Sequence, residues 1–134
     1  MKIKLIDFGG AAPVRAHYND AGADVFSPKD FTIYSGQVYK IPLGFGLELP
    51  DGYAGYIFPR SSLSAKGLVC ELPPIDSGYR GEIHAIVSNV GNNGYDFKKG
   101  DKIGQLVIMP VIIPEFTYDT LNERGTGAFG SSGK

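Results

Sequence analysis

The sequence predicts an all-β protein, a jelly-roll-like β-barrel or sandwich with one short helical turn and a flexible C-terminal tail, and three observations carry that expectation. Glycine and proline are abundant, 19 and 9 in 134 residues, while helix-forming runs are scarce. Apolar and polar residues alternate over short runs separated by turn signals, the period-2 pattern of half-buried strands. The length and the 43% hydrophobic content support one domain over residues 1–134 with a real core. Short strands at even spacing are what sandwiches and jelly rolls require.

Residues 2–6 alternate as a first strand, and 7–20 form a polar connector with Gly9-Gly10 and Asn19-Asp20 as turn signals. Ala21-Gly22-Ala23-Asp24-Val25 sets small residues before an acid, which lets backbones approach closely. Residues 31–34, 38–43 and 45–49 read as strands; Asp51-Gly52 then suits a hairpin turn, because Asp-Gly accepts positive φ, and 53–58 return. Pro59-Arg60-Ser61-Ser62-Leu63-Ser64-Ala65-Lys66-Gly67 breaks the β pattern. Proline stops the strand, the serines suit N-cap positions and Gly67 a C-cap, so this is the one helical turn. Its start offers N–H groups, two hydroxyls and a guanidinium to an anion; the plain alternative is a capped surface turn with a solvated Arg60.

Pro73-Pro74 cannot donate to a ladder and should cap the rim of a sheet. After it, Tyr79, Gly81, Ile83, Ala85 and Val87 alternate with Arg80, Glu82, His84, Ile86 and Ser88 as a half-buried strand, which holds Asp76 on stiff backbone at a strand mouth. Taken alone, such an Asp reads equally as an Asx-turn cap. Residues 91–94 and 98–101 are turns, and 106–109 form a continuous apolar strand of the kind buried on both faces. The β core thus covers 1–117, and 118–134 form an arm and tail. That tail is Gly- and Ser-rich yet carries Arg124 and Phe129, which floppy linkers seldom do. Its glycine N–H groups and hydroxyls can wrap phosphate oxygens, Arg124 can fork onto them, and Phe129 can lie on an aromatic ring. It is not a Walker A loop, whose spacing needs Gly at Ala128.

A formal net charge of -1 leaves no global field for nucleic acid or an anionic membrane, so phosphate binding must be built from a few placed cations. The single cysteine, Cys70, excludes an internal disulfide and a thiolate zinc cage and is expected to be a buried thiol. No apolar run has the length of a signal peptide or a membrane span, so the expectation is a soluble, cytoplasmic protein.

Five stretches, in order, resemble the motifs of the dUTP pyrophosphatase (dUTPase) family: 21–25, 59–67, 75–82, 100–106 and 124–133. The resemblance covers nearly the whole chain. It implies a homotrimer of jelly-roll subunits with sites at subunit contacts, and hydrolysis of dUTP to dUMP and pyrophosphate with Mg²⁺. It assigns Asp76 as general base and contact to the sugar 3′-OH, with Tyr79 under the deoxyribose, crowding out a 2′-OH. Arg60, Ser61, Ser62 and Gln105 would hold phosphate oxygens, and Asp24 would meet Mg²⁺ through water. Arg124, Phe129, Gly130, Ser131 and Ser132 would close over the γ-phosphate and the pyrimidine. Water attack at phosphorus asks for a base, charge neutralisation and alignment, which these residue types supply.

Two departures stand out. The family usually has Gly before the Ile-Asp pair, in the hairpin whose backbone reads uracil, where this chain has Pro73-Pro74; base reading is then expected to rest on other groups, such as the backbone near Ile75 and His84. Gly104 and Ala128 replace the more usual Ala and Gly, a change read as harmless. The related dCTP deaminase family fits less well, because its catalytic glutamate falls where Ile86 stands. A rival of another class is a nucleotide-gated regulatory module of phage type that signals through a protein partner.

Overall fold

The computed structural model describes residues 1–119. Its strands are β1 (Lys4–Asp7), β2 (Ala23–Phe26), β3 (Phe31–Ile33), β4 (Val38–Pro42), β5 (Phe45–Glu48), β6 (Tyr53–Pro59), β7 (Leu68–Cys70), β8 (His84–Asn89), β9 (Tyr95–Phe97) and β10 (Lys102–Pro110), with a helical turn α1 (Ser61–Ser64) after β6. All pairings are antiparallel, in the orders β1-β5, β2-β10-β6, β3-β9 and β4-β8-β7. The expected all-β architecture is what forms. No helix among the described residues is long and apolar enough to cross a membrane.

Alternation puts one set of side chains inside. On β8, Ala85 and Val87 are buried while His84, Ile86 and Ser88 are half-exposed, and Ile33, Leu47, Leu68, Phe97 and Ile103 fill the same core. Phe31 stacks on Tyr39 and Phe97 with centroids 5.8 and 5.2 Å away, joining the β3-β9 pair to β4. Two buried residues are polar, Ser27 and Asn89. Asn89, 1% exposed, donates from Nδ2 to the carbonyls of Ile33 and Asn93 and accepts the Gly91 N–H at Oδ1, each at 2.9 Å.

Several boundaries differ from expectation. The first strand runs to Asp7, because Asp7 still pairs with Phe45. Only the second half of the run from Tyr79 is strand: Tyr79 N–H bonds Asp76 C=O at 3.1 Å and closes a turn, and ladder pairing starts at His84. The phase was nevertheless right, since Ile83, Ala85 and Val87 are all buried. β7 and β9 have three residues each, too few to show a period. β10 is longer than 106–109, and within that run only Leu106 is buried, while Val107, Ile108 and Met109 are half-exposed. In α1 the N-cap is Arg60, in extended backbone with no side-chain cap bond, and the serines lie inside the first turn. Gly67 follows with φ 91°, the left-handed conformation expected of it.

Asn89→Ala would strand three backbone groups, one in a buried and two in part-buried hydrogen bonds, so the denaturant midpoint should fall by the equivalent of about 2–4 kcal/mol with an unchanged m-value. A wild-type midpoint would show that water replaces the amide at no loss.

Candidate active site

The segment after Cys70 is fastened to β6 at its middle. Ile75 and Gly55 exchange both backbone bonds, at 2.8 and 3.0 Å, so Ile75 is fastened to β6 and its own N–H and C=O are engaged. Next to this bridge lies a cleft of about 200 Å³ lined by Ile57, Glu71, Pro73, Pro74, Ile75, Asp76, Tyr79, Glu82, Ile83, His84 and Ile86. Asp76, Ile75, Tyr79 and His84, four residues singled out in the sequence, therefore share one cleft. Asp76 is exposed, and its carboxylate accepts no hydrogen bond among the described residues, so the bond that would define an Asx-turn cap is missing. Neighbours brace the turn around it: Ser77 Oγ reaches the Asp51 carboxylate at 3.2 Å, and the Arg80 guanidinium donates to the Ser77 carbonyl.

Tyr79 donates its hydroxyl to the Glu82 carbonyl at 2.9 Å, which fixes a ring that is 45% exposed. His84 Nδ1 lies 3.1 Å from the same carbonyl; a carbonyl only accepts, so Nδ1 carries a proton and Nε2 of the neutral ring is an acceptor. The backbone of His84 also has a direction. Ile83 gives its N–H to Phe45 and accepts from Leu43, whereas Ile86 accepts the Glu71 N–H on the other edge. Alternation turns the His84 N–H and C=O to that second edge, where Pro73-Pro74 has no N–H to offer.

A second group forms elsewhere. Gln105 on β10 pairs with Asp24 on β2 and Phe58 on β6, and Arg60, Ser61 and Ser62 follow directly from the end of β6 beside Gly104. Asp24, Gln105 and the Arg60-Ser61-Ser62 segment thus share one end of the β2-β10-β6 sheet. Gly22 is required there, since an added Cβ would sit 2.5 Å from Gln105 Oε1 and 2.8 Å from its Cβ. Gly104 is less neutral than expected, because a Cβ would stand 2.6 Å from the Phe58 carbonyl oxygen. One residue that pattern reading missed is Lys102, whose Nζ lies 3.3 Å from the Asp24 carboxylate. The register of β10 on β2 shifts between Lys102 and Gly104, and periodicity cannot foresee such a bulge.

The two groups are attached at different positions along β6. Gly55, beside the Asp76 cleft, and Arg60 are five positions apart, about 16 Å at the rise of a strand. A larger cavity, of about 560 Å³ around Phe8, Phe26, Leu43, Glu82 and Lys99, contains none of the expected site residues, and its Glu82 carboxylate is engaged by the Gly44 N–H at 2.9 Å. In the smaller cleft, by contrast, the Asp76 carboxylate stands unengaged. Burial, then the neighbouring Glu71 carboxylate, pushes the Cys70 thiol up to about 11, so it is protonated and unreactive at neutral pH. Arg124, Phe129, Gly130, Ser131 and Ser132 lie outside the described residues.

A family model described as dUTPase matches residues 10–133. A deoxyuridine 5'-triphosphate nucleotidohydrolase of Leifsonia xyli is 44% identical over 90% of this chain and 84% of its own. One from Clostridium tetani is 42% identical over 100% and 97%. Among solved structures, the dUTPase of Staphylococcus bacteriophage 80alpha with dUPNHPP superposes with a TM-score of 0.82, at 28% identity over 99% of both chains. A mutant dUTPase of phage phi11 of S. aureus, described with a structural Mg(II) ion, gives 0.83 at 26% identity over 89% of this chain and 97% of that one. Sequence motifs, all-β architecture and these likenesses agree, and the chain belongs to the dUTPase family.

Proposed function

We propose that this chain hydrolyses dUTP to dUMP and pyrophosphate by direct attack of water on the α-phosphorus, with Asp76 as general base. The observation that carries the reading is the Asp76 carboxylate, unengaged at the mouth of an apolar-lined cleft on backbone fixed by the Ile75–Gly55 bridge. A base held on rigid backbone loses no free energy to being positioned when the substrate arrives. The names of the relatives support the substrate. Tyr79, fixed through Glu82, lies under the deoxyribose and crowds a 2′-OH, while His84 and the side chain of Ile75 face the base. Arg60, Ser61, Ser62 and Gln105 hold phosphate oxygens, and Arg124, Phe129, Gly130, Ser131 and Ser132 close over the γ-phosphate and the pyrimidine.

Each site is completed between copies of the chain in a homotrimer. The separation along β6 supports this, because the phosphate-binding group of one chain lies away from its own Asp76 cleft, and a second subunit can bring its phosphate end there. Exposed Ile112, Ile113 and Phe116 beyond β10 give the chain apolar surface to bury on assembly.

Among the described residues no group of three His, Cys, Asp or Glu could hold a metal. A single carboxylate already beside Lys102 fits Mg²⁺ held chiefly by triphosphate oxygens and waters, with Asp24 meeting it through water. When bound, Mg²⁺ supplies charge neutralisation on the polyphosphate. Asp24 orients that hydration shell, and Lys102 keeps the Asp24 carboxylate in place. A second reading, a regulatory role through a protein partner, is favoured by the likeness to the 80alpha dUTPase, which is described as controlling transfer of virulence genes.

Pyrophosphate release from dUTP by the purified protein tests the activity directly. Asp76→Asn keeps the shape but cannot take the proton, so kcat should fall by about 10²–10⁴ with nucleotide binding retained; undiminished turnover would remove Asp76 from the role. Tyr79→Ala should narrow the preference for dUTP over UTP, and an unchanged ratio of kcat/KM values would place the sugar filter elsewhere. Gly22→Ala should displace Gln105 and lower kcat/KM by about 10–100-fold, whereas wild-type kinetics would show that Gln105 does not touch the phosphates.

A further inference from the structure

The Pro73-Pro74 corner lines the cleft yet has no part in the roles given above. A pyrimidine is distinguished at its 4-position: uracil carries a carbonyl oxygen that needs a donor, cytosine an amine that needs an acceptor. Prolines offer carbonyls and no N–H. Glu71 adds a carboxylate, and its own N–H is engaged by the Ile86 carbonyl at 2.8 Å. His84 adds a carbonyl and, with Nδ1 donating to Glu82, an accepting Nε2. Among Glu71, Pro73, Pro74 and His84, the one N–H without a partner is the backbone N–H of His84. This wall is rich in acceptors and poor in donors.

We infer that the base site accepts a 4-amino pyrimidine as well as a 4-oxo one, so that dCTP is hydrolysed alongside dUTP; the inference rests on the reading of the cleft as the base site of a dUTP hydrolase. A site that aims a donor at a substrate oxygen rejects the wrong analogue by about 10⁴–10⁵, because the buried donor is left unpaired. The two prolines aim no donor at the 4-position from the corner, which leaves the His84 N–H as the one unpaired donor among these four residues, and the cytosine amine finds acceptors on Glu71 and His84. The reaction itself is unchanged. Water oxygen bonds to the α-phosphorus, the bond from that phosphorus to the α–β bridging oxygen breaks with its electron pair leaving on pyrophosphate, and the water proton passes to Asp76. The exocyclic amine takes no part, and the product is dCMP.

The test is kcat/KM for dUTP and dCTP with the full-length protein, nucleotide products resolved by chromatography. The expected ratio of dUTP to dCTP is below about 100, against the 10⁴–10⁵ of a donor-built site, with dCMP as the product from dCTP. Pro73→Gly restores an N–H at the corner and should raise the ratio about tenfold or more, and Glu71→Ala, at an exposed side chain, should raise it by weakening the dCTP arm alone. A wild-type ratio above about 100 overturns the inference and leaves dUTP hydrolysis standing. A ratio that neither substitution moves overturns the assignment to this wall, and dUMP formed from dCTP would overturn it in favour of deamination. Turnover of neither nucleotide would instead overturn the reading on which the inference rests.

Discussion

Two hydrogen bonds between Ile75 and Gly55 fix the position of everything around the cleft. The segment from Glu71 to Glu82 has no ladder of its own; it leaves the edge strand β7 through a proline corner and rejoins the sheet at Ile83. A free segment of that length would lose its conformational entropy each time it met a ligand. The reciprocal bridge, the Tyr79–Asp76 turn and the Ser77–Asp51 contact hold it in one arrangement beforehand. Gly55 is buried, with Ile75 and Ile108 3.4 Å from where its Cβ would be, so the bridge sits close against both neighbours.

β6 divides the work. Near one end it carries the bridge to Ile75; past the other it runs into Arg60, Ser61 and Ser62, with Gln105 and Asp24 beside them on β10 and β2. On the proposed function, base and sugar recognition fall to the first end and phosphate recognition to the second. Lys102 neutralises Asp24 without removing it from solvent, for the carboxylate keeps 19% exposure. A carboxylate that is held but still wet suits a role through water better than a role as a direct ligand.

The sequence made Asp76 and the Arg60-Ser61-Ser62 segment legible because each lies in a short stretch with its own punctuation, a proline corner or a serine pair, whereas Gln105 and the role of Tyr79 came with the resemblance to the family motifs. The inward face leading into β8 was legible from its alternation, since Ile83, Ala85 and Val87 keep a strict period. What stayed hidden depends on registers that only the folded chain sets. Asn89 continues the inward alternation as a polar residue, and its partners Ile33 and Asn93 lie far and near in sequence without a common pattern. Lys102 reaches Asp24 through a register shift, β7 and β9 are too short to have a period, and the edge faced by the His84 backbone follows from pairings on both sides of β8.

The central claim is that the Asp76 cleft of one subunit works with the phosphate end of another. The most direct measurement mixes two inactive variants, Asp76→Asn and Arg60→Ala, unfolds and refolds them together, and follows pyrophosphate release from dUTP. Mixed assemblies should recover activity that neither parent has, because some sites then combine an intact Asp76 from one chain with an intact Arg60 from the next. Mixtures confirmed to contain hetero-oligomers yet no more active than the two parents added together would place both residues in the site of a single chain and contradict the account.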